Sequence, residues 1–163
     1  INQLNNSLLN SYYPKIKGMI SNRQLELGLL AKGGKNKTVY TFFSLQVDSP
    51  NFIFKLIHKD SYSSIVSFFN TDYYIEFEEG FLPPDFLIKT NDPSFLKKLV
   101  DKKIFESPII PQLIHHQSAL ELKDNKLSIE LKKIVEAESD IPFVMEMIEA
   151  LGNIALQIEA TKH

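Results

Sequence analysis

An α+β fold is predicted for this chain of 163 residues: a mainly antiparallel, twisted sheet covered by helices, with a long helix at the C-terminal end. Three observations predict it. Residues 119–133 alternate apolar and polar on both sides of Asp124-Asn125, so a fold about that pair sets Leu122 opposite Leu127 and Leu120 opposite Ile129. Several other alternating runs, separated by turn residues, fill residues 15–90. Residues 140–161 carry Val144, Met147, Ile148, Leu151, Ile154, Ala155 and Ile158 on one helical face. Burying each large side chain of that stripe is worth roughly 1.5–3 kcal/mol, so the helix must lie on a sheet or on a partner.

The remaining elements follow in chain order. Leu4, Leu8 and Tyr12 at helical spacing, with Leu9 alongside, predict a helix over residues 2–13 that Pro14 ends. The asparagines Asn2, Asn5, Asn6 and Asn10 leave a frayed polar leader as the alternative. Strands are expected over residues 16–20 and 25–31, with Ser21-Asn22 as the turn between them. The strand over residues 38–48 turns Val39, Thr41, Phe43, Leu45 and Val47 one way and Tyr40 and Phe42 the other. It is expected to be central and covered on both sides near its start. Ser49-Pro50-Asn51 is a turn before a strand over residues 52–58. Residues 61–69 fit a short helical turn, a loop or an edge strand. Strands are expected around Tyr73, Ile75 and Phe77 and over residues 85–90. Asp92-Pro93 and Ser107-Pro108 each read as an N-cap with proline at the first helical position. Ser139 or Asp140 is expected to cap the last helix.

Composition bounds the function classes. A chain of this length is expected to be one α+β domain spanning residues 1–163, able to bury roughly 70% of the surface its unfolded form exposes. Because the sequence opens on Ile1, it is expected to be a fragment of a longer protein. Net charge is -2, with a pI near 6.1, which argues against a general nucleic-acid binder. Cysteine is absent, which excludes disulfide scaffolds, thiolate metal sites and cysteine nucleophiles. No uninterrupted apolar run is long enough to cross a bilayer, and the opening residues lack a signal-peptide pattern.

Candidate chemistry is sparse. His115-His116 with Glu106 or Glu121 could supply metal ligands, but adjacent helical residues point about 100° apart, and imidazoles also suit a helix C-terminus. Lys32-Gly33-Gly34-Lys35-Asn36-Lys37 could cradle a phosphate, yet it lacks the phosphate-loop spacing and links two strands. Glu76, Glu78, Glu79 and Asp85 form an acidic group that also suits the wet face of a strand. Tyr40, Phe42, Phe43, Phe52, Phe54, Tyr73 and Tyr74 could line a ligand pocket, although aromatics on alternating strands are more often core. Met145 and Met147 read as helix packing. No catalytic, cofactor-binding or metal-binding residue is assigned, and no cofactor is expected.

The order of signals resembles a group of uncharacterised prokaryotic soluble domains. The resemblance is carried by Pro14-Lys15-Ile16-Lys17-Gly18, by the aromatic strand Val39-Tyr40-Thr41-Phe42-Phe43, and by Asp85-Phe86-Leu87-Ile88-Lys89-Thr90-Asn91-Asp92 running into a capped helix. The hairpin over residues 120–131 and a terminal helix complete it. Such domains are often tethered beside transmembrane helices, so the resemblance implies an α+β fold and a membrane neighbour, with a cytoplasmic or cytoplasm-facing location. It carries no activity. The expected function is a non-catalytic interaction or accessory domain with a protein partner or membrane neighbour and no nucleic acid. The alternatives are a small-ligand or lipid-binding module, and a hydrolase using the acidic strand or a histidine metal site.

Overall fold

The computed structural model describes residues 15–33, 37–49, 51–58, 75–76, 86–101, 106–116 and 118–161. The predicted helix over residues 2–13, the ambiguous stretch 61–69 and most of the strand around Tyr73 lie outside them. Strands β1 (Lys15–Ile20), β2 (Arg23–Lys32), β3 (Thr38–Gln46), β4 (Phe54–His58), β5 (Ile75–Glu76) and β6 (Phe86–Thr90) come first. Helices α1 (Pro93–Asp101) and α2 (Ile109–His115) follow, then β7 (Ala119–Lys123), β8 (Lys126–Leu131) and α3 (Ile141–Thr161). The fold is α+β, with one sheet in the order β1-β2-β3-β8-β7-β4-β6-β5, antiparallel throughout.

Sequence and turn chemistry set the register. Leu122 faces Leu127 and Leu120 faces Ile129, as the alternation requires. The turn residues Asp124 (φ 52°) and Asn125 (φ 60°) are both left-handed, and so are Ser21 (φ 47°) and Asn22 (φ 63°) between β1 and β2. Two-residue hairpin turns favour this conformation because its twist matches that of the strands, and Asn and Asp tolerate it best.

The β7–β8 hairpin sits between β3 and β4, although β3 and β4 are consecutive in the chain. Leu120, Leu122, Leu127, Ile129 and Leu131 are each at most 1% exposed and form the centre of the core with Phe43, Leu45, Phe54 and Leu56. Helix α3 lies against β3 and β8 and buries Met147, Ala150, Leu151, Ile154, Ala155 and Ile158. Helix α1 adds Leu96 and Leu99, and α2 adds Ile109 and Leu113. The expected cap of α3 works differently from prediction. Asp140 Oδ2 accepts from the backbone N–H groups of Glu136 (3.2 Å) and Ala137 (3.3 Å), so it fixes the approach to the helix instead of its first turn. Asp92 caps α1 as expected, accepting from Phe95 N–H at 2.9 Å.

The other face of the sheet is polar and divided. Tyr40 and Phe42 are only half-buried, so the start of β3 is less covered on this face than predicted. Lysine side chains lie over these rings instead, Lys15 5.6 Å from the Phe42 centroid and Lys32 5.9 Å from that of Tyr40. Phe42 itself shields Gly28, where an added Cβ would come within 2.8 Å of its ring. Further along the sheet, Ile57 of β4 is fully inaccessible on this face, and Lys89 of β6 is 5% exposed.

Thr41 joins sheet to helix. Its backbone N–H and its Oγ1 both donate to the Lys133 carbonyl, at 3.0 and 2.5 Å, and Oγ1 accepts from Val135 N–H at 3.3 Å. The segment between β8 and α3 is thereby pinned to β3. Thr41→Val should lower unfolding stability by about 1–3 kcal/mol in a urea titration, because it leaves the Val135 N–H unpaired and removes one of the two bonds to the Lys133 carbonyl. Leu122→Ala should cost more, about 2–5 kcal/mol, by opening a cavity in the hairpin.

Candidate functional site

His115 and His116 end α2 with their rings edge to face, centroids 4.7 Å apart. Burial, then the neighbouring His115, pushes the His116 pKa down, outweighing a backbone hydrogen bond at Lys132 that raises it. Among the described residues no group of three potential metal ligands forms, so Glu106 and Glu121 are not gathered around the pair. Lys32 of the glycine loop is ion-paired with Glu130, and residues 34–36 lie outside the described part. Of the acidic group only the Glu76 backbone is described, opposite Lys89. Glu78, Glu79 and Asp85 lie outside, as do Tyr73 and Tyr74. Phe43, Phe52 and Phe54 are buried in the core. Met147 is buried as expected, but Met145 is 59% exposed and is not a packing residue.

The structure brings other residues together at the turn end of the sheet. Arg23 opens β2 and makes a two-pronged ion pair with Glu159 near the end of α3. Glu159 Oε1 also accepts from the Asp48 backbone N–H at 3.1 Å. The Arg23 hydrogen bond, above all, holds the Glu159 carboxyl below the usual carboxylate range, against the opposing effect of burial. The pair closes one wall of an open cavity of about 350 Å³, which Asn22, Gln46, Asp48 and Asn125 also line.

A second open cavity, of about 230 Å³, adjoins it at Asp48 and is lined by Ser49, Asn51, Phe52, Asp92, Phe95 and Ile158. Its frame is well tied. Phe52 N–H donates to the Ser49 carbonyl at 3.2 Å, across a turn in which Asn51 has φ 67°. Asn91 accepts from Ile53 N–H at 2.8 Å and donates to the Asn51 carbonyl. Thr90 Oγ1 donates to the Ile53 carbonyl at 2.9 Å and accepts from Asp92 N–H at 3.1 Å. The rings of Phe52 and Phe95 pack 4.3 Å apart. Of these residues only Phe52 was singled out in the sequence, as one of the aromatics that could line a pocket. Asp92 was legible as a cap and Ser49 as a turn residue, and nothing in their spacing announces that they meet.

A third feature is apolar. Ile141, Met145, Gly152, Leu156 and Glu159 fall in one lane of α3, within about 60° of one another at 100° per residue. Ile141 is 56% exposed, Met145 59% and Leu156 50%. Because Glu159 in this lane reaches Arg23 of β2, the lane runs along the side of the helix nearest the β1–β2 hairpin. There Ile16, 64% exposed, stands beside the half-buried Leu27 on the helix-facing side of the sheet. Strand β1 is the last in the sheet order, with a neighbour on one side only among the described residues. Helix α3 is long and apolar enough to cross a membrane by length and composition, but its other stripe is seated on the sheet.

These features belong to an α+β fold with an exposed apolar lane on α3 and two adjoining open cavities. The fold has a solved relative in shape: the crystal structure of the mycobacterial trehalose monomycolate transport factor A, TtfA, is similar with a TM-score of 0.58 over 88% of this chain and 70% of that one, at 7% sequence identity. No protein-family model matches the sequence, and no curated protein is significantly similar to it.

Two outcomes follow from the ionisable groups. The folded Glu159 carboxyl lies below its unfolded value, so its contribution is present above the ordinary carboxylate range and lost as pH falls through the folded pKa. Arg23→Ala should cost about 1–2 kcal/mol at neutral pH, between an exposed and a buried pair, and should flatten that acid-side loss in chemical denaturation. The His116 pKa is also depressed on folding. The unfolded chain takes up that proton first, near its ordinary value of about 6.5, so this contribution is present above that pH and lost as pH falls below it. His116→Gln should remove that part of the pH dependence, read as thermal midpoints from pH 8 to 5 (about three units spanning the histidine range).

Proposed function

We propose that this domain is a non-catalytic accessory module, completed by a protein partner that lies along the trough between α3 and the β1–β2 hairpin. The observation that carries this is the exposed lane of Ile141, Met145 and Leu156 beside exposed Ile16. A helix apolar on two sides is normally covered on both, and here one stripe rests on the sheet while the other faces solvent. Among the described residues the outer side of β1 carries no strand, and its backbone groups suit an added one. The resemblance to domains tethered beside transmembrane helices extends the proposal: the partner belongs to a membrane-associated assembly.

A lipid-handling role is the alternative. Its support is the shared fold with a transport factor named for trehalose monomycolate. The two cavities at the turn end of the sheet are open and mixed in lining, unlike the enclosed aromatic pocket that suits a lipid, and the exposed lane of α3 suits a protein partner. The protein-partner role therefore has the stronger case.

The chain has no cysteine, so single-cysteine variants carry one label each. Met145→Cys and Ile16→Cys, bearing a photo-crosslinker, should both join the same protein in cells of the source, while Lys97→Cys on α1 should not. Met145→Lys should leave the thermal midpoint unchanged and abolish the crosslink from Ile16→Cys. Crosslinks to lipid alone would support the alternative, and equal labelling from all three positions would overturn both.

A further inference from the structure

Residues 2–13 lie outside the described residues, but the place where they join them is fixed. Strand β1 begins at Lys15, paired with Gly28, and the next residue of β2, Leu29, pairs with Thr41. Thr41 N–H donates to the Lys133 carbonyl, and Lys133 Nζ lies 4.0 Å from the ring centroid of Phe143, in the first turn of α3. The chain therefore enters the sheet at the end where α3 starts. At the other end of β1, Arg23 reaches Glu159 near the close of α3. The exposed lane of α3 runs between these two marks.

The dimensions suit a helix. Helix α3 lies against β3 and β8. A second helix beside it, at an axis separation of about 8–10 Å, rests over β2 and β1, some two strand spacings of about 4.8 Å away. Its floor is Ile16 with the half-buried Leu27, and its wall is Ile141, Met145 and Leu156. From Ile141 to Leu156 the lane measures about 22 Å, and residues 2–13 as a helix span about 18 Å. Folded back from Lys15 through Pro14, they run antiparallel to α3 and present Leu4, Leu8 and Tyr12 as one stripe. The segment holds no charged side chain, so it can lie beside the Arg23–Glu159 pair without repulsion. Gly152 is an independent sign of a close neighbour. A glycine inside a helix costs stability relative to alanine, yet a Cβ built at this one, in the middle of the lane, meets no described atom within 4 Å. The described surroundings of α3 do not require a glycine there, whereas a helix crossing at close range does.

We infer that residues 2–13 form an amphipathic helix that docks on the exposed lane of α3 and occupies it until a partner takes its place. The docking stands on the geometry above, and the displacement rests on the partner role already proposed. A helix of this length is marginal alone in water, so it forms on docking and melts on release.

The absence of cysteine allows paired substitutions in the whole chain. Under mild oxidation, Leu8→Cys with Met145→Cys should form an internal disulfide about tenfold faster than Leu8→Cys with Lys97→Cys on α1. Gly152→Leu, which raises the helix propensity of α3, should slow the first pair to the rate of the second while circular dichroism shows the protein folded. Equal rates from the two pairs would mark an undocked tail and overturn the inference. Disulfide-linked dimers in place of the internal bond would assign the lane to a second copy and overturn it as well. Displacement has its own readout: Leu8→Asp should raise the partner crosslink from Ile16→Cys about tenfold, and an unchanged yield would overturn that half. A fast bond between positions 8 and 145 with no protein captured from Ile16→Cys would uphold the docked helix and remove the partner role, so the two readings fail separately.

Discussion

The insertion of the β7–β8 hairpin between β3 and β4 is the constraint on which the rest of the structure depends. Without it the first three strands and the group β4-β6-β5 share no hydrogen-bonded neighbour. The hairpin supplies five of the most deeply buried leucine and isoleucine side chains. It also supplies the last strand before α3, and so decides where that helix lands. A slip of one residue in its register would turn Leu122 and Leu127 to the polar face and Glu121 and Ser128 into the core.

The polar face guards against that slip. By backbone register one row crosses the whole sheet: Lys17, Glu26, Ser44, Ser128, Glu121, Lys55, Lys89 and Glu76. Opposite charges sit directly across from each other at Lys17–Glu26 and Glu121–Lys55, each pair worth about 0.2–1 kcal/mol. The like pair Lys55–Lys89 has Glu121 across from Lys55 on its other side. Such a row contributes little to stability, but it makes every alternative register send charge into the apolar layer.

Much of the fold was legible because local rules and tertiary contacts agree. Alternation around Asp124-Asn125, the Asp92-Pro93 start and the stripe of α3 bury most of what their pattern says, whereas the Ser107-Pro108 start departs from it: Pro108 itself takes the cap position without a side-chain cap bond, and Ile114 of α2 is 46% exposed. The places where reading failed are those decided by distant neighbours. Met145 fits the spacing of a packing residue, yet the helix rotates its lane toward a hairpin that leaves it uncovered. Asp140 has the chemistry of a forward cap and is claimed instead by the backbone behind it. Ser49 and Asp92 lie 43 positions apart, and Glu159 is more than a hundred from Asp48. No periodicity links them, so the cavities at the turn end could only emerge once the sheet was assembled.

The late arrival of the central hairpin has a consequence for synthesis. As the chain leaves the ribosome, β3 and β4 emerge with their inner edges unpaired, and the strands that cover them lie some 60 residues further on. For that interval the nascent protein carries two apolar edges ready to pair with another copy. A cell making it quickly has reason to shelter the first half until the second is out.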